Sequence, residues 1–170
     1  MAAAFRLEAL AAAHDRRSFQ CVEEALDRYF QTQVTQDVRR RITNCFVAVD
    51  DASGAIAGFY TLSAASIPVH DLPPEQTKKL PRCPVLPAVR IGRLAVATGF
   101  QGRKLGAALL ADAAERTMKA APAAFTLLVD AKNEAAVAFY EHHGFVRFTS
   151  QPQTLFLVLR ALEQGRRNRP

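Results

Sequence analysis

The chain has 170 residues, 49% of them hydrophobic, with 22 lysine and arginine residues against 16 aspartate and glutamate. This length can bury one full core without staples, and the odd, widely spaced set Cys21, Cys45 and Cys83 fits neither a disulfide framework nor a zinc site, so a reducing cytoplasm is the expected setting and no metal is expected. The formal net charge of +6 favours an acidic partner, whether nucleic acid, nucleotide or protein, while the lack of a membrane-length apolar run and the early Arg6 and Glu8 argue against a membrane anchor or a signal segment.

Residues 5–10 alternate apolar and polar with period two, as a half-buried first strand does. A polar break at residues 14–18 follows. Residues 22–30 and 34–42 have helical spacing, as two helices or one bent helix, with Val22, Leu26, Tyr29 and Phe30 as an inward face. Arg39, Arg40 and Arg41 crowd the end of the second. A helix dipole favours cations there, so the run reads either as a solvated cap or as a nucleic-acid contact. Residues 45–49 and 55–63 are strands joined by a turn at 50–54, which makes an antiparallel hairpin.

Six of the nine prolines then fall at positions 68–87. This stretch is expected to form no regular sheet and one short helical segment near residues 75–80. A connection so long is usually either functional or disordered; with Lys78, Lys79 and Arg82 in it, a basic lip over a substrate groove is the functional reading.

The centre of the chain is residues 91–114. A short apolar strand, with Leu94, Ala95 and Val96 at its end, leads into Gln101, Gly102, Arg103, Lys104, Leu105 and Gly106. A helix is expected from near Gly102, with Gly106, Leu109, Leu110, Ala113 and Thr117 as its buried face. Strand, glycine-bearing turn and helix can aim backbone N–H groups and the positive end of a helix dipole at one point, so phosphate is the expected guest. Arg103 and Lys104 in a first turn support this, because cations are disfavoured there unless an anion is bound; a solvated basic surface is the other reading. Gly106 costs a helix about 1 kcal/mol relative to alanine, which points to a close approach by the sheet or a ligand.

Residues 125–129 are an apolar strand. Asn133 can cap a helix running to residue 141, with Gly144 at its C′ position. Strands at 145–149 and 154–159 follow, and residues 163–170 are a charged, aperiodic tail expected to be mobile. The order is β-α-α-β-β-β-α-β-α-β-β.

Three segments carry a family resemblance. The loop Gln101 to Gly106 is similar to the pyrophosphate loop of the GNAT acyltransferases, with Lys104 standing where that pattern has glycine. Residues 58–67 together with Arg93, Leu94, Ala95 and Val96, and the motif Asn133-x-x-Ala136-x-x-Phe139-Tyr140-x-x-His143-Gly144-Phe145, resemble the GNAT toxins of bacterial toxin–antitoxin modules. The resemblance covers nearly the whole chain. It implies an α/β (α+β) GNAT fold: a mixed sheet of six to seven strands with about four helices on both faces, in a single domain over residues 1–162.

It also implies an activity, the transfer of acetyl from acetyl-CoA to the α-amino group of aminoacyl-tRNA, which stops translation. An N-acetyltransferase acting on a small-molecule or protein amine is the alternative. Acetyl-CoA would be held by Leu94, Ala95, Val96, Gln101, Gly102, Arg103, Lys104, Leu105, Gly106, Asn133 and Phe139. Tyr140 would be the proton donor to the leaving thiolate; its unperturbed pKa near 10 keeps it protonated at neutral pH. Residues 90–97 contain no carboxylate to serve as a base. That leans towards an α-amine, whose pKa of about 7.7 leaves it partly neutral unaided, although a water chain, Asp130 or Glu141 could deprotonate a lysine instead. Arg39, Arg40, Lys78, Lys79, Arg82, Arg90 and Arg93 are the candidate tRNA contacts, and they should converge on one groove. The resemblance further implies a homodimer and an antitoxin with a ribbon-helix-helix DNA-binding end.

Overall fold

The hairpin that starts the sheet is set by its turn. Asp50 accepts hydrogen bonds from Ser53 N–H (3.1 Å) and Ser53 Oγ–H (2.6 Å), and Gly54 N–H donates to the Asp50 carbonyl at 2.8 Å. This closes β2 (Asn44–Asp50) against β3 (Ile56–Pro68) in antiparallel register from Asn44↔Leu62 to Val49↔Ile56, with a bulge between Ala48 and Val49. The computed structural model describes residues 4–78, 80, 82 and 84–167; Lys79, one of the expected tRNA contacts, lies outside them.

The remaining elements are β1 (Phe5–Ala9), α1 (Glu24–Thr32), α2 (Val34–Arg39), α3 (Pro74–Thr77), β4 (Val85–Val96), α4 (Leu105–Lys119), β5 (Thr126–Asp130), α5 (Glu134–His142), β6 (Val146–Arg147), β7 (Thr154–Val158) and α6 (Leu159–Arg167). The seven strands are ordered β1-β2-β3-β4-β5-β7-β6. Two compact units divide the chain, Met1–Ser63 with Gly92–Ala113, and Ala64–Ile91 with Ala114–Pro170.

In the first unit, β1 pairs antiparallel with β2, and α1 and α2 bury Tyr29, Phe30 and Val34. Phe30 and Phe59 stack at 4.2 Å, with Phe19 edge-on to both. Arg16 Nη1 donates to the carbonyls of Phe30 (2.6 Å) and Gln31 (3.2 Å), satisfying the last turn of α1. Of the expected stripe on α4, Leu109, Leu110 and Ala113 of this unit are buried and Gly106 is half-buried; Thr117, which belongs to the second unit, is buried as well.

In the second unit, β4 runs parallel to β5 from Ala88↔Thr126 to Ile91↔Val129. β7 lies between β5 and β6, antiparallel to both. Ile67, Leu86, Ala88, Leu128, Phe148 and Phe156 form its core.

Four expectations are corrected. The proline-rich stretch does contribute to regular sheet, because β3 reaches Pro68 and β4 begins at Val85. Pro87 precedes the first β5 pair, where its missing N–H leaves no gap in that ladder, and its carbonyl accepts from Phe125 N–H at 2.8 Å. Val69 N–H donates to the Pro84 carbonyl at 3.1 Å, closing the neck of the excursion. Val22 is not inward: α1 starts at Glu24, so Val22 falls outside the helical period and is 74% exposed. The central helix starts at Leu105 rather than near Gly102. Finally, Leu159–Arg167 is helical, with Leu159 buried and Leu162 half-buried one turn later, so the described helices number six rather than about four.

Candidate active site

The end of β4 is fixed by side chains as well as by strand pairing. Arg93 N–H donates to Thr61 Oγ1 of β3 at 3.0 Å. Leu94 and Val96 are half-buried and Ala95 is buried. Beyond Val96, Ala97 N–H bonds the Ala57 carbonyl (2.8 Å) and Thr98 N–H bonds the Gln20 carbonyl (2.8 Å), which anchors the loop at its base.

Gln101, Gly102, Arg103 and Lys104 are all exposed. Gly102 has φ +79 and Lys104 φ +59, both in the left-handed region. Lys104 thus takes a backbone conformation that glycine adopts freely, at a steric cost of roughly 1–2 kcal/mol. A Cβ placed on Gly102 would meet nothing within 4 Å, so its hydrogen serves backbone conformation rather than space. Because α4 begins at Leu105, Arg103 and Lys104 are loop residues ahead of the helix rather than part of its first turn. Their cations, an open left-handed loop and the N-terminus of a 15-residue helix suit an anion. The Arg103 guanidinium lies 5.4 Å from the Phe100 ring centroid. Gly106 follows as the second residue of α4 and is half-buried.

A close approach of helix to sheet is found at Gly58, the first residue of the segment 58–67. A Cβ on Gly58 of β3 would lie 2.9 Å from the Ala95 carbonyl oxygen and 2.9 Å from Leu109 Cδ1. Only glycine lets α4 settle against β3 beside the end of β4. Tyr60 on β3 donates to Asp112 on α4 at 2.6 Å, a second tie between these elements.

The other candidates lie in the second unit. Asn133 caps α5, its Oδ1 accepting from Ala136 N–H at 2.9 Å, and the chain leaves the helix through Gly144 at φ +93. Phe139 is half-buried, its ring 5.2 Å from that of Tyr140 and 4.8 Å from that of His143. Tyr140 is 9% exposed and edge-on to Phe145 at 5.5 Å. Burial pushes its hydroxyl up to about 12. That hydroxyl makes no hydrogen bond among the described residues, yet the fully enclosed side-chain polar atom without a partner there is Thr126 Oγ1; the Tyr140 oxygen therefore keeps contact with solvent. Burial and the neighbouring His142 charge lower the pKa of His143. Cys45 is a core residue, 4% exposed, with its thiol pushed up to about 12 by burial.

The basic candidates are spread over both units. Arg39 and Arg40 are exposed at the end of α2, and Arg93 is half-buried in β4. Lys78 and Arg82 are exposed in the proline-rich excursion, and Arg90 is ion-paired with Asp130. The two carboxylates named as alternative bases are engaged: Asp130 by Arg90 and by Thr154 Oγ1 (2.8 Å), Glu141 by Arg147 Nε (2.7 Å). Among the described residues no group of His, Cys, Asp and Glu could hold a metal ion, and no helix is long and apolar enough to cross a membrane.

A mixed α+β sheet with a glycine-bearing loop between its central strand and the following helix suits the transfer of a group from a phosphate-bearing donor. The chain belongs to the GNAT acetyltransferase family: the acetyltransferase (GNAT) domain matches residues 41–147. It is 35% identical over 150 residues to a tRNA-acetylating toxin from Mycobacterium tuberculosis, covering 87% of this chain and 88% of that one. It also resembles the structure of AtaT complexed with acetyl-methionyl-tRNAfMet (TM-score 0.88, 29% identity, 95% and 98% coverage). A second similar structure is a tyrosine-to-phenylalanine mutant of the AtaT toxin bound to the C-terminus of the antitoxin AtaR and acetyl-CoA (TM-score 0.78, 26% identity, 94% and 96% coverage).

Proposed function

We propose that this protein is an acetyl-CoA-dependent N-acetyltransferase toxin that acetylates the α-amino group of aminoacyl-tRNA and so blocks translation. The observation that carries this reading is the 35% identity to a tRNA-acetylating toxin over most of both chains. Residues 1–162 act as one acetyltransferase domain. The backbone of Leu94, Ala95 and Val96 takes the pantetheine arm, Gln101, Gly102, Arg103, Lys104, Leu105 and Gly106 hold the pyrophosphate, and Asn133 and Phe139 complete the donor site.

Acetyl-CoA supplies an activated thioester. The neutral amine attacks its carbonyl carbon, the C–N bond forms and the C–S bond breaks. Tyr140 gives its hydroxyl proton to the departing sulfur, while the amine loses a proton to water, from which Tyr140 regains its own. With a pKa pushed up to about 12, Tyr140 enters every turnover protonated. The same burial makes it a weak acid, so its proton moves only as charge builds on sulfur. An α-amine, partly neutral near pH 7, needs no carboxylate base, in keeping with the engagement of Asp130 and Glu141 elsewhere.

Arg39, Arg40, Lys78, Lys79, Arg82, Arg90 and Arg93 serve the RNA. In the cell the protein is a cytoplasmic homodimer held in check by an antitoxin with a ribbon-helix-helix end. The test is transfer of labelled acetyl from acetyl-CoA to charged tRNA, uncharged tRNA, free amino acids and peptides. Label on the aminoacyl group of charged tRNA is expected; label on peptides or small amines with none on charged tRNA overturns the reading.

A further inference from the structure

Arg93 occupies a strand position that apolar residues hold on either side. Ile91 and Ala95, on the same face of β4, are buried, yet residue 93 is a half-buried arginine whose guanidinium carbon lies 3.5 Å from the centroid of the Tyr29 ring. Tyr29, on α1, is 5% exposed and donates its hydroxyl to Asp37 Oδ2 on α2 at 3.0 Å. Asp37 is itself 9% exposed. With the Arg93 backbone tied to Thr61, three elements hold one guanidinium in one plane.

Stacking occupies the face of a guanidinium and leaves its N–H groups, which lie in that plane, for other partners. Among the described residues no carboxylate lies within ion-pair distance of Arg93 and no carbonyl accepts from its side chain. A cation brought to the edge of a core with its donor fork unspent is prepared for an anion from outside, and the fork matches phosphate oxygens two at a time. Asp37 sits on the same short helix as Arg39, and Arg40 follows at its C-cap, so the basic surface continues beyond one contact, as a run of backbone phosphates would require. The pyrophosphate of the donor, in contrast, is provided for by the loop after β4.

We propose that Tyr29 and Asp37 are positioning residues that hold the Arg93 fork for a backbone phosphodiester of the charged tRNA, an inference that rests on the RNA-acetylating reading above.

The experiment measures affinity for charged tRNA across a salt series, with affinity for acetyl-CoA alongside. Arg93→Ala should weaken tRNA binding on the order of tenfold and make the log–log salt slope shallower by about one. Tyr29→Leu, which keeps apolar bulk without the ring, should do the same. The double variant should be little worse than Arg93→Ala, because the ring acts through the arginine. Tyr29→Phe keeps the ring but releases Asp37; it should weaken tRNA binding about two- to threefold at the wild-type slope, the cost of lost preorganisation. Acetyl-CoA affinity should hold in all four. A folded Tyr29→Leu with wild-type affinity and slope, multiplying losses in the double variant, or a loss that falls on acetyl-CoA instead would overturn the proposal. Should Tyr29→Leu not fold, Tyr29→Phe decides: wild-type tRNA affinity there overturns it. If the wild-type protein binds charged tRNA without salt dependence and transfers no acetyl to it, the parent reading falls as well; variant effects that fail against an active, salt-sensitive wild type remove this inference alone.

Discussion

Tyr140 carries a polar atom on a ring that is otherwise core, and the two properties can be separated by one substitution. Tyr140→Phe keeps the ring against Phe139 and Phe145 and removes a hydroxyl that has no hydrogen-bond partner among the described residues. A hydroxyl that merely bonded within the core would cost about 1 kcal/mol on removal; here the melting temperature should stay level or rise. Acetyl-CoA affinity should be retained, and turnover should fall by roughly 10²–10⁴, the usual share of general acid catalysis. In cells, expression without antitoxin should arrest growth for wild type and not for the Phe variant. Steady-state kinetics on a folded Tyr140→Phe protein with full turnover would remove the residue from the chemistry.

Two glycines in neighbouring elements do different work, and alanine tells them apart. Gly102 is needed for its backbone: with φ +79 and open space around it, Gly102→Ala should cost on the order of 1 kcal/mol in stability from backbone strain alone and weaken acetyl-CoA binding as the loop abandons its left-handed turn. Gly58 is needed for space. Gly58→Ala would push a methyl group within 2.9 Å of the Ala95 carbonyl and Leu109 Cδ1, and such overpacking typically costs about 1–3 kcal/mol. Thermal melts paired with calorimetry of acetyl-CoA binding would check both. The contrast also marks what could be read in advance. The loop, the α4 stripe, the Asn133 cap and the Asp50–Gly54 turn are local, and residue types within a few positions of one another determine them. The close approach at Gly58, the Thr61–Arg93 bond and the Tyr29–Arg93 stack join residues 32 to 64 positions apart, and nothing in their own neighbourhoods signals them. The long strands through the prolines are not legible locally for a related reason: Pro87 is tolerated because of where β5 starts its ladder, which lies almost forty residues downstream.

At the scale of the molecule, burial holds the protons of four acidic groups, Cys21 among them with its thiol pushed up to about 11. The Cys45 thiol and the Tyr29 and Tyr140 hydroxyls are each pushed up to about 12, against 9.0 and 10.0 for their ordinary values. Above pH 9 the unfolded chain gives up these protons while the folded protein keeps them. The unfolded state then binds fewer protons, so stability falls as pH rises, by as much as about 1.4 kcal/mol per pH unit for each group fully titrated in the unfolded chain. The contribution is intact below pH 9 and should be spent by about pH 12. Urea melts at pH 8, 9 and 10 should give midpoints that drop with pH, and Cys45→Ala should flatten the early part of that decline even if it lowers stability throughout. Midpoints that stay level to pH 10 would contradict the burial of these protons.

The order of strands in the sheet sets a schedule for synthesis. Neither unit is contiguous in sequence: the first needs Gly92–Ala113 to join Met1–Ser63, and the second draws on the chain from Ala64–Ile91 and again from Ala114 onward. β7 (Thr154–Val158), the last strand to leave the ribosome, is the one that bridges β5 and β6. Until it emerges, α5 and its tyrosine hang from a sheet missing an inner strand. On the proposed function, an unfinished chain on the ribosome should be inert: chains stopped before Thr154 should be non-toxic and protease-sensitive, even where they contain the whole loop from Gln101 to Gly106.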